Sequence, residues 1–452
     1  LAVAVCTAVL GAPAGAASLL DDAAPARDLY TAADGYHFNG FDVTALPDGR
    51  FAVVWVEEND DIDQEYLKLA RFDANGDAVG EPLVVRADVH ASVVHRDPVA
   101  AADADGDLIV AWNEVDIMYE ECSWIAFRRA APDNTLSSIQ YPDPGATSKC
   151  QVRAAMNTDG GFVLAWYSKP ADSAAEYLGQ TFNADGTAIT SSPVHLADVG
   201  DASLPPALTL QDDTFTLAWT GQQRSLLARQ FNLNGTALSS DDFRLDDGAE
   251  GTGSLTQMFP ALAGDQDGGF VGLWHQLAPE DGALMFSQRG RRRAADGTAG
   301  AALEVANDAL IADATTMGPM SVATDGNGLI LAGWSALVDD NPASRIAAFQ
   351  DGAPLGDGPV TVAATTPDTE PFSTSTRVVI SGRTGTAVWY EQDTGGNAVI
   401  RARSLTVPEP GAEPDDVGDG SDSGGGGGGG GTTGLLTLLG LGLLWLRWRA
   451  RR

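Results

Sequence analysis

Tryptophan recurs through the middle of this chain at a nearly fixed interval, and that interval constrains the fold more than any other feature. Trp55, Trp112, Trp166, Trp219, Trp274, Trp334 and Trp389 are separated by 57, 54, 53, 55, 60 and 55 residues. The surrounding sequence repeats with them, as LPDGRFAVVW, ADGDLIVAW, TDGGFVLAW, QDDTFTLAW, QDGGFVGLW, GNGLILAGW and GRTGTAVWY. In five units a turn residue stands six positions before the Trp: Gly49, Gly106, Gly160, Asp213 and Gly268. A second turn follows in LKLARFDANGD, LGQTFNADGT, LARQFNLNGT and RRRAADGT. Short apolar or alternating runs bounded by Asp-Gly and Asn-Gly predict β-hairpins, because these residues supply the positive φ that tight turns need.

One unit reads as four strands, in the first case 41–46, 51–57, 65–72 and 83–86. Four strands per repeat of this length predict a β-propeller blade. A row of sandwiches is the alternative, but each would need about seven strands and about 100 residues. Runs such as FAVVW are apolar on successive residues, so the second strand is covered on both faces and its Trp packs blade against blade. After Trp389 the last unit has a third strand, 398–405, then meets Pro408-Glu409-Pro410 without a fourth. An orphan segment before the first unit, around Asp28 to Ala32, supplies the missing outer strand and pairs an otherwise open sheet edge. The expectation is an all-β, seven-bladed β-propeller over 28–406, its N-terminal strand closing the last blade. The repeats lack the signatures of WD40 and kelch propellers.

Both termini read as addresses. Residues 1–16, LAVAVCTAVLGAPAGA, form an uncharged apolar stretch ending in the small-x-small pattern Ala14-Gly15-Ala16 of a signal peptide, without an initiating Met or a basic n-region. At the other end, residues 407–434 form an acidic, then Gly-rich linker that cannot bury enough apolar surface to fold. Residues 435–452 carry the apolar run LLTLLGLGLLWL followed by Arg447, Arg449, Arg451 and Arg452. That run is short of the roughly 20 residues that span a bilayer, but snorkelling arginines extend it as a transmembrane helix. By the positive-inside rule the arginines stay cytoplasmic and the body lies outside the inner membrane.

The order of glycines, short apolar helix and Arg cluster over 424–452 resembles the GlyGly-CTERM sorting signal of Gram-negative bacteria. The resemblance implies cleavage within the region of Gly424, Gly431 and Gly434 by a rhombosortase-like intramembrane protease. It also implies passage through type II secretion to the cell surface or medium. Thr432-Thr433 stands where such tails often carry Ser. An uncleaved membrane anchor is the other reading.

Acidic residues outnumber basic ones 62 to 27, a formal charge of −35, and the lysines are only Lys68, Lys149 and Lys169. Such a chain is a poor partner for nucleic acid. Cys122 and Cys150, the cysteines outside the leader, read as a disulfide in an oxidising compartment, or else as two buried thiols.

In a blade the tight turns emerge on one face and the longer second-to-third and inter-blade loops on the other, where function more often resides. The second-to-third loops are acidic: Glu57, Glu58, Asp60, Asp61 and Asp63 in the first, with Asp116, Glu120, Glu121, Asp172, Glu176, Glu280, Asp281, Asp339, Asp340, Glu391 and Asp393 in later units. The fourth unit, with Gln222, Gln223 and Arg224, breaks the run. This crown suits Ca²⁺ or a basic ligand, or is simply a solubilising surface. Asp103, Asp105 and Asp107 lack the full spacing of a calcium loop and read as a β-turn. His90 and His95 read as surface histidines, and His275 as packed beside its framework Trp.

No HExxH, GxSxG, Walker A, CxxC or sialidase Asp-box occurs, and no organic cofactor is indicated. The catalytic residues, if any, are not legible. The expected function is an exported binding scaffold for glycan, protein or cation. The alternative is a secreted hydrolase or lyase with acids at the channel mouth.

Overall fold

The computed structural model describes residue 19 and residues 23–409, apart from 60, 63, 89–92, 117–120, 144–147, 170–173, 200–203, 222–224, 247–255, 266–267, 281–282, 308–317, 339–340, 365–374 and 393–396. The leader 1–16, the linker beyond 409 and the tail 435–452, with Gly424, Gly431 and Gly434, lie outside the described residues.

The described residues form 27 strands in seven sheets. The N-terminal strand β1 is Arg27–Thr31. Blade 1 holds β2 (His37–Ala45), β3 (Phe51–Asn59), β4 (Gln64–Phe72) and β5 (Leu83–Asp88). Blade 2 holds β6 (Val93–Ala102), β7 (Leu108–Asp116) and β8 (Glu121–Ala130), its fourth strand reduced to the bridges Phe127–Gln140 and Ala130–Leu136. Blade 3 holds β9 (Lys149–Met156), β10 (Phe162–Ser168), β11 (Glu176–Phe182) and β12 (Val194–Asp198). Blade 4 holds β13 (Ala207–Gln211), β14 (Thr214–Thr220), β15 (Leu226–Asn232) and β16 (Phe243–Arg244). Blade 5 holds β17 (Thr256–Gly264), β18 (Phe270–Glu280), β19 (Ala283–Arg293) and β20 (Ala299–Ala306). Blade 6 holds β21 (Ser321–Thr324), β22 (Leu329–Val338), β23 (Asn341–Gln350) and β24 (Ala353–Ala364). Blade 7 holds β25 (Arg377–Ser381), β26 (Thr384–Gln392) and β27 (Ala398–Thr406).

Blade 7 is completed by β1, which runs antiparallel to β27 with Arg27 opposite Ala402 and Thr31 opposite Val399. The first strands touch in the cyclic order β2, β6, β9, β13, β17, β21, β25 and back to β2. The molecule is therefore a closed seven-bladed propeller, as the Trp repeat predicts. Leu19, upstream of β1, is also buried, against Leu405 and Val407.

Turn chemistry sets the hairpins. Gly106 (φ 86°) lies between the first two strands of blade 2, and Gly186 (φ 85°) follows the third strand of blade 3. Asn134 (φ 68°) fills the latter place in blade 2, the one side chain type besides Asp that tolerates this region well.

Each framework Trp packs against the blade before its own. Trp55 joins Val388, Ala398 and Ile400 of blade 7, while Trp112 joins Val54, Val56 and Leu67 of blade 1. Trp166 meets Ile109 and Ile125, and Trp219 meets Val163 and Tyr177. Trp274 packs on Ala218 and Leu226, Trp334 on Val271 and Leu273, and Trp389 on Leu331 and Ile346. All seven indoles are at most 4% exposed, so the core is a ring of inter-blade layers welded by large aromatic area.

Candidate functional site

The seven first strands enclose a central cavity of ≈ 580 Å³. Its lining follows one register position, the residue paired with the one just before each framework Trp. Around the ring this residue is Asp42, Val99, Arg153, Ala207, Ala261, Ser321 and Arg377. All seven line the cavity, together with Asn39, Asp97, Ser375 and Tyr390.

Four inner strands reach this position through a β-bulge, with one extra residue at Phe38–Phe41, Arg96–Val99, Cys150–Arg153 and Met258–Ala261. Each bulge holds a residue at positive φ: Gly40 (100°), Asp97 (50°), Gln151 (56°) and Phe259 (55°). Glycine adopts this freely, whereas the other three store strain of order 1–3 kcal/mol each. Bulges re-aim side chains and cluster beside functional sites. Here they bring Asn39 and Asp97 onto the cavity wall.

Charge in the cavity is mixed and ordered. Arg377 Nε donates to Asp42 Oδ1 at 3.2 Å, and its guanidinium carbon lies 5.8 Å from the centre of the Phe41 ring. Asp42 Oδ2 also accepts Ala100 N at 3.1 Å. Arg153 is fixed by its own surroundings, with Nε donating to Pro206 O at 2.9 Å and Nη1 to Val152 O at 2.8 Å. Burial pulls the Arg153 pKa down; Asp97 opposes that pull and Arg377 adds to it. Asp97 accepts from Asn113 Nδ2 at 2.6 Å, and Asn113 Oδ1 in turn takes Val152 N at 3.2 Å. This polar chain ties the bulge of blade 2 to the bulge of blade 3.

Next to the cavity, between blades 1 and 2, a second polar network surrounds two carboxylates. Arg96 Nη1 donates to Glu58 Oε2 at 3.1 Å and to Glu65 Oε2 at 3.0 Å. Glu58 Oε1 is met by Asn39 Nδ2 at 2.7 Å and His37 Nε2 at 3.0 Å. Glu65 Oε1 accepts the His95 backbone N–H at 2.5 Å and contacts His95 Nδ1. Burial raises the Glu58 pKa, but the Arg96 charge and the hydrogen bonds of Glu65, Asn39 and His37 outweigh it and hold the carboxyl below its ordinary range. His95 is fully buried against Glu65 and Trp112, which corrects the expectation of a surface histidine. The periodicity could not reveal this, because its partner Glu65 lies 30 residues away on another blade. His90 lies outside the described residues.

Three acids of the crown, Glu57, Glu58 and Glu391, are neutralised by neighbouring cations. Glu57 is buried, accepts Trp55 Nε1 at 3.3 Å and is ion-paired to Lys68. Glu58 is held by Arg96, and Glu391 by Trp389 and Arg401. Asp61 caps the turn through its backbone N–H, which donates to Asn59 Oδ1 at 3.1 Å. Asp60 and Asp63 lie outside the described residues, as do Glu120, Asp172, Asp281, Asp339, Asp340 and Asp393. Among the described residues no group of three or more His, Cys, Asp or Glu converges on a common point. The cation reading thus has no assembled ligand set among the described residues, and half of the crown's acids lie outside them. Within the described residues no helix is long and apolar enough to cross a membrane, and the tail expected to do so lies outside them.

The sequence reading missed Asp42, Asp97, Arg153, Arg377 and Glu65. A signal for the ring residues exists: counting 13 residues back from Trp55, Trp112, Trp166, Trp274 and Trp334, or 12 from Trp219 and Trp389, reaches the cavity wall.

No family model and no curated protein matches the sequence. Among solved structures, a protein of unknown function from Dyadobacter fermentans aligns at TM-score 0.47 and 10% identity, over 85% of this chain and 99% of the other. An α-L-arabinofuranosidase of Fusarium graminearum in complex with arabinobiose aligns at TM-score 0.45 and 12% identity, over 85% and 98%. A polysaccharide lyase, Uly1, aligns at TM-score 0.47 and 9% identity, over 82% and 90%. At these scores the likenesses carry no argument about ligand or activity.

Proposed function

We propose that this chain is an exported propeller that binds a glycan in its central cavity, entered from the long-loop face. The single observation that carries this reading is the ≈ 580 Å³ cavity, to which all seven inner strands contribute and whose charged side chains are held in place by further hydrogen bonds. That volume is in the range of small-ligand sites, and a mixture of prolines, small residues and fixed polar groups suits a hydroxyl-rich ligand. A glycan array probed with the full chain, followed by calorimetric titration of the best ligand, tests it. Saturable binding that competes at the cavity supports the reading, and the absence of any glycan ligand overturns it.

A second reading is supported by the carboxylates Glu58 and Glu65, which one guanidinium draws together beside the cavity. Paired carboxylates at such a mouth suit glycoside chemistry. Turnover of chromogenic glycosides or of uronate polymers, lost in Glu58→Gln and Glu65→Gln, would favour hydrolase or lyase over scaffold.

Export and surface sorting complete the proposal. Leu19 is buried in the blade 6–7 core, just past the small-x-small pattern ending at Ala16, which suits a mature chain that starts near residue 17. Cys150 is a half-cystine, and its proposed partner Cys122 lies on β8, the third strand of the preceding blade. The C-terminal tail is proposed to direct cleavage by a rhombosortase-like protease and release through type II secretion. Intact masses of the protein from membranes and medium check both processing steps and the disulfide together.

A further inference from the structure

In a chain with 62 acidic and 27 basic residues, the described residues of the cavity wall carry two arginines and two aspartates, a balance far less acidic than the chain as a whole. Arg153 and Arg377 occupy the same register position on blades 3 and 7, three blade steps apart around the ring and so on different sides of the cavity. Like charges facing one confined space repel, and the wall answers them only in part. Asp42 takes Arg377 Nε, while Asp97 is turned to Asn113. Arg377 lines the cavity and keeps part of its side chain exposed, although its Nη1 is packed within the wall. A guanidinium presents five N–H donors, and a charge-assisted bond to an oxyanion is the strongest way to satisfy those that face the cavity.

Resting on the glycan-binding reading above, we infer that the cavity selects an acidic glycan whose oxyanion, a uronate carboxylate or a sulfate ester, is received between Arg377 and Arg153. Arg153 is held by backbone carbonyls and needs no rearrangement to present its charge. Arg377 lies over the Phe41 ring, which fixes the plane of its fork. Arginine is suited to this role because its planar fork matches a carboxylate or sulfate bidentately. The rest of the cavity, with Ser321, Ser375, Asn39 and Tyr390, offers neutral donors and acceptors to sugar hydroxyls.

The test is calorimetric titration of the full chain with oligogalacturonates, sulfated dextran oligomers and neutral dextran oligomers. Acidic oligomers should bind at least 10-fold tighter than neutral ones, and the preferred acidic series identifies carboxylate or sulfate as the source. Arg377→Gln and Arg153→Gln should each weaken the acidic ligand at least 10-fold, whereas Arg50→Gln, on the tight-turn face, should not. Because Arg377→Gln strips Asp42 of its partner and could unsettle the blade, Asp42→Asn provides a test of opposite sign. It removes a competing carboxylate and frees Arg377 Nε, so acidic ligands should bind several-fold tighter to it. Equal affinity for neutral and acidic oligomers, or an Asp42→Asn protein that binds acidic ligand no better, overturns this inference and leaves glycan binding standing. Failure of all three series to bind also overturns this inference, and only an empty glycan array beside it overturns the glycan reading itself.

Discussion

The indole N–H of Trp389 donates to Glu391 Oε2 at 2.9 Å, and Arg401, opposite Trp389 on the neighbouring strand, pairs with the same carboxylate. The same arrangement recurs in blade 1 as Trp55, Glu57 and Lys68, and the Trp-to-Glu contact recurs in blade 2 as Trp112 and Glu114. These are consecutive blades of the ring. In blades 3, 4 and 5 the residue two positions on is Ser168, Gly221 or Gln276, and the indole nitrogens of Trp166, Trp219 and Trp274 have no acceptor. Glu391→Leu should destabilise the protein by about 1–2 kcal/mol, because it orphans the buried indole and leaves Arg401 with Asp28 as its remaining carboxylate partner. Conversely, Gln276→Glu places a carboxylate between the unpartnered Trp274 and Arg289, which lies opposite it. That change should stabilise by about 1 kcal/mol. Urea unfolding of both variants checks the pair.

How much of this was legible follows from the range of each interaction. The Trp-x-Glu pairs, the hairpin turns and the second-strand runs are local, so the Trp period predicted the blades. The expected strands 51–57 and 65–72 match β3 and β4 to within two residues, and the expected closing strand from Asp28 to Ala32 is β1, shifted by one. The reduced outer strand of blade 2 was not legible, since its two bridges carry no continuous run. The cavity was legible only in outline. Asp42 and Arg377 meet across 335 residues, and which side chains face the axis depends on bulges that no local pattern announces. The acidic loops looked like a cation site because their partners Lys68, Arg96 and Arg401 belong to other strands.

Among the described residues, Arg96 is the one guanidinium that bridges Glu58 and Glu65. Arg96→Leu should therefore destabilise by about 3 kcal/mol at pH 7, the scale expected when a largely buried ion pair loses one member. The Glu58 pKa is held below its usual value of 4.5, so its contribution is present above that pH and is lost as pH falls through the lower folded value. The deficit of Arg96→Leu should accordingly shrink in acid. Urea midpoints at pH 7 and pH 4 measure both effects.

His275 is buried beside Trp274, and desolvation lowers its pKa from 6.5 to about 4 despite a hydrogen bond with the Gly318 backbone. The unfolded chain takes up this proton below about pH 6.5 while the folded chain resists until about pH 4. Stability from this site is complete above pH 6.5 and falls across that window, by about 3 kcal/mol in all at 1.36 kcal/mol per pKa unit. A His275→Leu protein should lose less stability between pH 7 and pH 4 than the parent. An identical acid loss in both would show that the imidazole is not held neutral.

The account depends most on closure of the ring, since only a closed ring assembles the seven-sided cavity. Closure rests on β1 against β27, with Arg401 Nε donating to Asp28 Oδ1 at 2.7 Å and Ala32 N to Ala398 O at 2.9 Å. The most direct measurement is thermal unfolding of a chain lacking residues 19–32, alone and with a peptide spanning 19–33 added in trans. The account predicts a melting temperature at least 10 °C lower, at least partly restored by the peptide. A truncated chain that melts at the same temperature as the intact protein would contradict it.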